Sequence, residues 1–236
     1  MIELQKRKDM RGLATLDMDG TLLESRSIDV LCRKFGLETK LAEIDRRSDL
    51  LEGYKVSEIV AQLFGGMKAS DLERAFDSIE VVNGAKEFIS FLRRKKFLTA
   101  IVTDSYTFLA SRLAEKLGVD LVWGNKLEIV DGIITGRISM PLGWEKQKKC
   151  QKKAVCKLHA MCKIAQKSEV GMDKTLAIGD SKSDFCMIER AAIGVAFRPK
   201  DPEIVKIADL AVYGDFFELV DNLKPFLDRL QKSSSS

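Results

Sequence analysis

An α/β fold is what this sequence predicts: a parallel sheet covered by helices, with a small helical cap inserted after the first strand. Three observations predict it. A short apolar run at Leu13–Leu16 leads directly into a stretch, to about Ile79, that carries helical spacing and no convincing strand. From Val82 onward, strand and helix patterns alternate, as they do in parallel sheets with crossover helices. Three of the predicted strands end in polar groups, at Asp17/Asp19, Thr103 and Asp180/Asp184.

Taken in order, Leu13–Leu16 reads as the first strand. Ile28, Leu31, Cys32 and Phe35 then fall at helical spacing, with Ser27 as N-cap and Gly36 as stop. Further helical patterns break at Gly53 and Gly65-Gly66, and residues 27–80 form the expected cap over a core of residues 1–26 and 81–236. Hinges between the two are expected near Glu24–Arg26 and Ile79–Asn83. A helix at Ala85–Lys96 precedes the strand Phe97–Val102, which runs into Thr103-Asp104-Ser105. A helix near Thr107–Leu117 stops at Gly118, and Leu127–Arg137 reads as a hairpin turning at Asp131-Gly132. A Lys-rich helix over about Cys150–Ser168 precedes the strand Thr175–Ile178, and short strands follow at Ile193–Phe197 and Leu210–Val212. The closing Ser233–Ser236 run reads as disordered.

The chain has 236 residues, 45% apolar and 31% charged, enough for one large domain or a core with a satellite. Its polar, mixed-charge start is unlike a signal peptide, and no apolar run approaches a membrane span. A net charge of +4 is too mild to imply nucleic acid. Five cysteines, an odd number, suggest free thiols in a reducing, cytoplasmic compartment. Cys150, Cys156 and Cys162 recur every six residues; six helical steps turn about 240°, so they point apart and make no metal cluster. His159 is the single histidine, which excludes any mechanism needing two.

The chemistry centres on Asp17-Met18-Asp19-Gly20-Thr21. Residues two apart on an extended backbone point the same way, so Asp17 and Asp19 leave the strand toward one spot. Carboxylates that close repel unless a cation lies between them or one keeps a proton. Gly20 lets the backbone bring amide groups near an anion. In open parallel sheets ligands bind at the carboxyl ends of strands, so Asp180 and Asp184 join the same site. Four carboxylates with oxygen-only donors suggest Mg²⁺, and a metal beside them suits a bridging phosphate. Thr103 supplies a hydroxyl for the phosphate, and the Lys-rich segment a cation.

Together, Leu16-Asp-Met-Asp-Gly-Thr21, Ile101-Val-Thr-Asp-Ser105, Ala177-Ile-Gly-Asp-Ser-Lys-Ser-Asp184 and the Gly124-Asn-Lys-Leu hairpin segment resemble the haloacid dehalogenase superfamily, in its phosphoserine-phosphatase-like branch. The resemblance covers nearly the whole chain in order. It implies a Rossmann-like core and a covalent mechanism. Asp17 would attack phosphorus to form an aspartyl-phosphate, and Asp19 would act as general acid and then base. Mg²⁺ would be held by Asp17, the Asp19 backbone carbonyl and Asp180, with Asp184 in support. Thr103 and Asp104 of the second motif would lie at the phosphate.

The family also places a Lys at the start of a helix, with apolar residues three and four positions later. Lys152 fits this best, with Lys153 and Lys149 as alternatives among eight lysines between 146 and 167. Read as a nucleic-acid patch, that cluster lacks interleaved aromatics apart from Trp144.

Where phosphoserine phosphatases carry a Glu that meets the substrate ammonium, this chain has Arg26. A cation there favours an anionic group instead. Gln62 falls where a carboxylate-binding Arg is expected, with Arg46 and Arg47 nearby, and Asp104-Ser105 replaces the usual Gly-Gly. The expectation is therefore a Mg²⁺-dependent phosphatase acting on a small phosphorylated metabolite, without a nucleic-acid or membrane partner. The alternatives are a phosphotransferase using the same aspartyl-phosphate and a non-catalytic phosphate-binding relic. A receiver-type signalling module has no use for Asp19 or a cap.

Overall fold

A computed structural model describes residues 10–141 and 156–232. Its strands are β1 (Gly12–Leu16), β2 (Phe97–Tyr106), β3 (Leu121–Val130), β4 (Ile133–Ser139), β5 (Thr175–Gly179), β6 (Ile193–Phe197) and β7 (Leu210–Val212). They form one sheet of seven strands in the order β4-β3-β2-β1-β5-β6-β7. All neighbours are parallel except β3 and β4, which form an antiparallel hairpin. The chain builds outward from β1 on one side and then returns to build outward from β5 on the other. This reversal opens the ligand-binding crevice of such sheets beside the carboxyl end of β1.

Every residue of β1 is buried, as expected of a central strand covered on both faces. Alternation assigns its side chains to two cores. Leu13 joins Leu98, Ala100 and Val102 of β2 against Ala160, Met161 and Ile164. Leu16 and Ile101 join the larger cluster on the opposite face with Phe88, Leu109 and Phe216.

Of the five α-helices between β1 and β2, the first four make up one segment: α1 (Ser27–Lys34), α2 (Glu38–Arg47), α3 (Gly53–Gln62) and α4 (Ala69–Asp77). Their buried residues, among them Leu31, Phe64, Leu72 and Phe76, belong to the larger core cluster. Backbone bonds tie this segment to the β3–β4 hairpin: Gly66 N donates to Ile134 O at 2.8 Å and Ile134 N to Met67 O at 2.8 Å. Its two connections run side by side, Glu24 N donating to Glu80 O at 2.9 Å and Val82 N to Leu22 O at 3.0 Å.

The remaining helices are α5 (Ala85–Arg94), α6 (Thr107–Leu117), α7 (Lys157–Lys167), α8 (Phe185–Arg190), α9 (Pro202–Ile207) and α10 (Phe216–Lys232). The hairpin turns at Asp131 (φ 50°) and Gly132 (φ 76°), the two left-handed residues that a tight two-residue turn demands.

Three local expectations change. β2 continues past its apolar run to Tyr106, because Thr103–Ser105 stay extended after pairing with β3 is interrupted. Ser27 is the first helical residue rather than the cap, which is Arg26; the Ser27 hydroxyl has another partner, described below. The expected Lys-rich helix begins at Lys157, capped by Cys156, and Cys150, Lys149, Lys152 and Lys153 lie outside the described residues, as does Ser233–Ser236.

Candidate active site

The carboxyl ends of β1, β2 and β5 supply the site. Asp17 follows β1 immediately, and its N–H donates to Ile178 O of β5 at 2.9 Å, which fixes it over the seam between the two strands. Met18 turns fully into the core, leaving Asp17 and Asp19 on the same side. Asp180 and Asp184 come from the turn after β5. There Asp184 Oδ2 accepts from Asp180 N and Ser181 N, each at 3.2 Å, so Asp184 closes the turn as well as facing the site. Gly179 makes that possible, since a Cβ there would lie 2.3 Å from Asp184 Cγ.

Lys157, the first residue of α7, enters between the acids. Its Nζ lies 2.5 Å from Asp17 Oδ1 and 2.7 Å from Asp184 Oδ1, with 1% of its side chain exposed. Burial acts against its charge, yet Asp17 and Asp184 outweigh this and hold the ammonium well above the usual lysine range. Burial, then repulsion from Asp184, raises the Asp17 carboxyl well above the usual carboxylate range, against the pull of Lys157. Burial likewise raises Asp184.

Oxygens of Asp17, Asp180 and Asp184 all lie within 4.8 Å of one another, and all three residues are buried. Lys157 balances part of their charge, and Lys200 Nζ pairs with Asp180 Oδ2 at 2.6 Å from the exposed side. Buried acids crowded this closely, with oxygen-only donors, fit a hard dication.

Asp19 accepts two bonds from Ser27, from N to Oδ1 and from Oγ to Oδ2, each at 2.9 Å. Desolvation pushes its carboxyl up to about 6 despite those bonds. A group poised there can hold a proton and release it near neutrality.

Thr103 is buried, and its Oγ1 accepts from Ser105 N at 3.0 Å, which leaves its own proton to donate. Asp104 is exposed at the mouth, close enough to add to the negative field on Asp17 and Asp19. Asn125 Nδ2 donates to the Asp104 carbonyl at 2.6 Å and so holds this end of β2 in place.

Gly20 supplies room at the site, and its own amide donates to Leu23 O at 3.0 Å. A Cβ there would lie 2.2 Å from Asp180 Oδ2 and 2.3 Å from Lys200 Nζ. The Arg26 guanidinium is shared between Asp29 (3.2 Å) and Asp45 (3.0 Å), so its charge is largely compensated locally.

The sequence does not by itself assign Lys157, Ser27, Asn125 or Lys200 to the site. Lys157 carried a usable signal: Ala160 and Met161 stand three and four residues after it, the same pattern used for Lys152, and both are buried.

Known proteins resemble this chain. The family model for haloacid dehalogenase-like hydrolases matches residues 14–189. The phosphoserine phosphatase of Idiomarina loihiensis is 33% identical over 208 residues, 87% of this chain and 90% of that protein. That of Archaeoglobus fulgidus is 33% identical over 193 residues, 81% of this chain, but the chain spans only 54% of its length. A solved phospho-aspartyl intermediate analogue of phosphoserine phosphatase superposes with a TM-score of 0.76 at 24% identity, covering 91% of this chain and 99% of that one, a likeness of fold. This chain belongs to the haloacid dehalogenase-like hydrolases, in their phosphoserine-phosphatase-like branch.

Proposed function

We propose that this chain hydrolyses a small phosphomonoester through an aspartyl-phosphate on Asp17. The carrying observation is the meeting of Asp17, Asp180 and Asp184 with the buried ammonium of Lys157 at the carboxyl end of the sheet. An Asp17 oxygen forms the bond to phosphorus while the ester P–O bond breaks. Asp19 gives its proton to the departing alkoxide, which leaves as an alcohol. A water then attacks the same phosphorus, Asp19 takes its proton, and Asp17 is released together with orthophosphate.

Lys157 balances charge on Asp17 before and after transfer, and the role expected of Lys152 passes to it. Thr103 donates its hydroxyl to a phosphoryl oxygen. Asp17 and Asp180, with the Asp19 carbonyl, would hold Mg²⁺, and Asp184 would orient them. Bound Mg²⁺ supplies positive charge that offsets the carboxylates and the incoming phosphate. Preorganised charge of this kind is the main contribution to catalysis of so slow a reaction.

Relatives named phosphoserine phosphatase make phosphoserine the first substrate to try. Arg26 between Asp29 and Asp45 forms a mixed-charge patch, suited to a zwitterionic or an anionic leaving group. Residues 27–80 serve as the cap over this site, and the enzyme works in the cytoplasm. Among the described residues no helix is long and apolar enough to cross a membrane.

The test is phosphate release from a panel of phosphorylated metabolites including phosphoserine, with Mg²⁺ and with chelator. Metal-dependent release that disappears in Asp17→Asn is the expected result. Release that persists in that variant would overturn the covalent assignment.

A further inference from the structure

Resting on the phosphatase reading above, we propose that Ser27 is a positioning residue that aims the Asp19 carboxyl at the leaving-group oxygen. Three hydroxyls, one carboxylate and the Ser105 amide link the turn after β1 with α1 and β2. Ser27 Oγ donates to Asp19 Oδ2 at 2.9 Å, and Ser27 N donates to Oδ1 at 2.9 Å. Ser27 Oγ also lies 3.0 Å from Ser105 Oγ. The single Ser27 proton is committed to Asp19, so Ser105 is the donor in that contact. Ser105 N in turn donates to Thr103 Oγ1 at 3.0 Å. Ser27 is fully buried and Ser105 nearly so, and water therefore has little access to replace either bond.

Two bonds, one to each carboxylate oxygen, fix both the position and the plane of Asp19. They occupy one lone pair on each oxygen and leave the others to carry and deliver a proton. A carboxyl held by its own flexible χ angles alone would sample many orientations. Confining it to one is the kind of preorganisation in which small misplacements cost up to about a hundredfold in rate. The placement also has a structural consequence. Ser27 is the first residue of α1, so the acid at the end of β1 takes its aim from the helical segment. Ser105, on β2 two residues after Thr103, links that aim to the hydroxyl assigned to the phosphate.

A positioning role for a general acid makes a prediction that a purely structural role does not. An alkyl phosphate needs its leaving oxygen protonated, whereas p-nitrophenyl phosphate expels a stable phenolate and needs little help. Ser27→Ala is therefore expected to lower kcat/KM, which reports transfer to Asp17 and not the hydrolysis step shared by both esters, about tenfold or more for the alkyl ester and much less for the aryl ester. Ser27→Thr, which keeps the hydroxyl, should restore the wild-type ratio of the two rates. An equal loss on both esters, no loss on either, or failure of Thr to restore the ratio would each overturn the proposal.

One measurement is independent of turnover. The Ser27 amide proton should be shifted downfield and slow to exchange, and should lose both properties in Asp19→Ala. An unchanged Ser27 amide would overturn the geometry itself. Absence of phosphate release from wild type on either ester would instead count against the phosphatase reading, leaving the amide measurement to decide on Ser27.

Discussion

Lys157 and Asp17 form a buried ion pair, Nζ to Oδ1 at 2.5 Å, although 140 residues separate them in the chain. Lys157 completes the site with the cation that the acids of β1 and β5 require. Removing one partner of a buried pair leaves the others uncompensated, which costs about 3–5 kcal/mol. Lys157→Met is therefore expected to lower stability by about that much and to abolish phosphate release. Lys152→Ala should do neither. Urea unfolding and a phosphate assay on the two variants side by side provide the check. A silent Lys157→Met together with an inactive Lys152→Ala would return the role to Lys152.

Burial of its acids gives the metal-free protein an unusual pH dependence. The Asp19 carboxyl is pushed up to about 6 from its ordinary 3.8, and Asp17 and Asp184 are also raised. Between the unfolded and folded values the native state keeps a proton that the unfolded chain has released. Stability from these groups is thus fully present at low pH and is lost as pH rises through the folded value. In chelator, the urea midpoint of wild type relative to Asp19→Asn should fall between about pH 4 and pH 6 and then level off. A relative midpoint that rises over this window would show that the Asp19 carboxyl is lowered rather than raised. Saturating Mg²⁺ should stabilise the native state at neutral pH, by about 2.7 kcal/mol at a hundred times its Kd.

The acids of this site were legible because strand geometry constrains them. Asp17 and Asp19 follow a largely apolar run with i, i+2 spacing, and Asp180 follows another. Each could be read without knowing what packs against it. Lys157 was not legible in that way. Its helix belongs to a segment with a lysine at almost every turn, and only the buried stripe Lys157, Ala160, Met161, Ile164, Ala165 shows which face turns inward. Ser27 was misread for a related reason. A Ser before an apolar helical pattern satisfies the rule for a cap, and only the tertiary approach of Asp19 redirects its hydroxyl. Arg26 was legible as a departure from its relatives, but its pairing with Asp45 depends on how α1 and α2 pack.

That pairing bears on specificity. Arg26 and both of its partners are about two-fifths exposed, so the bridges themselves contribute little to stability, about 0.2–1 kcal/mol. Arg26→Ala is expected to unfold within about 1 kcal/mol of wild type. It also leaves Asp29 and Asp45 unopposed near the mouth. KM for phosphoserine should therefore change more than KM for p-nitrophenyl phosphate, which has no second charged group to be sensed. Equal changes for both would remove Arg26 from substrate recognition and leave it a tie between the two helices.

Gly20 tests whether the site depends on space as much as on charge. Its φ of +82° is in the region that side chains disfavour, and a methyl group would overlap Asp180 Oδ2 and Lys200 Nζ. Lys200 can swing outward, because 59% of its side chain is exposed. Asp180 cannot, because it is buried at the end of β5 and its N–H is held by Asp184. The strained backbone costs about 1–3 kcal/mol, and the displaced carboxylate loses its place in the acidic triad. Gly20→Ala should accordingly show both a lower urea midpoint and a weaker Mg²⁺-induced rise in melting temperature. A variant that is destabilised yet gains as much from Mg²⁺ as wild type would show that Asp180 holds its position, and would place the effect of Gly20 in the turn alone.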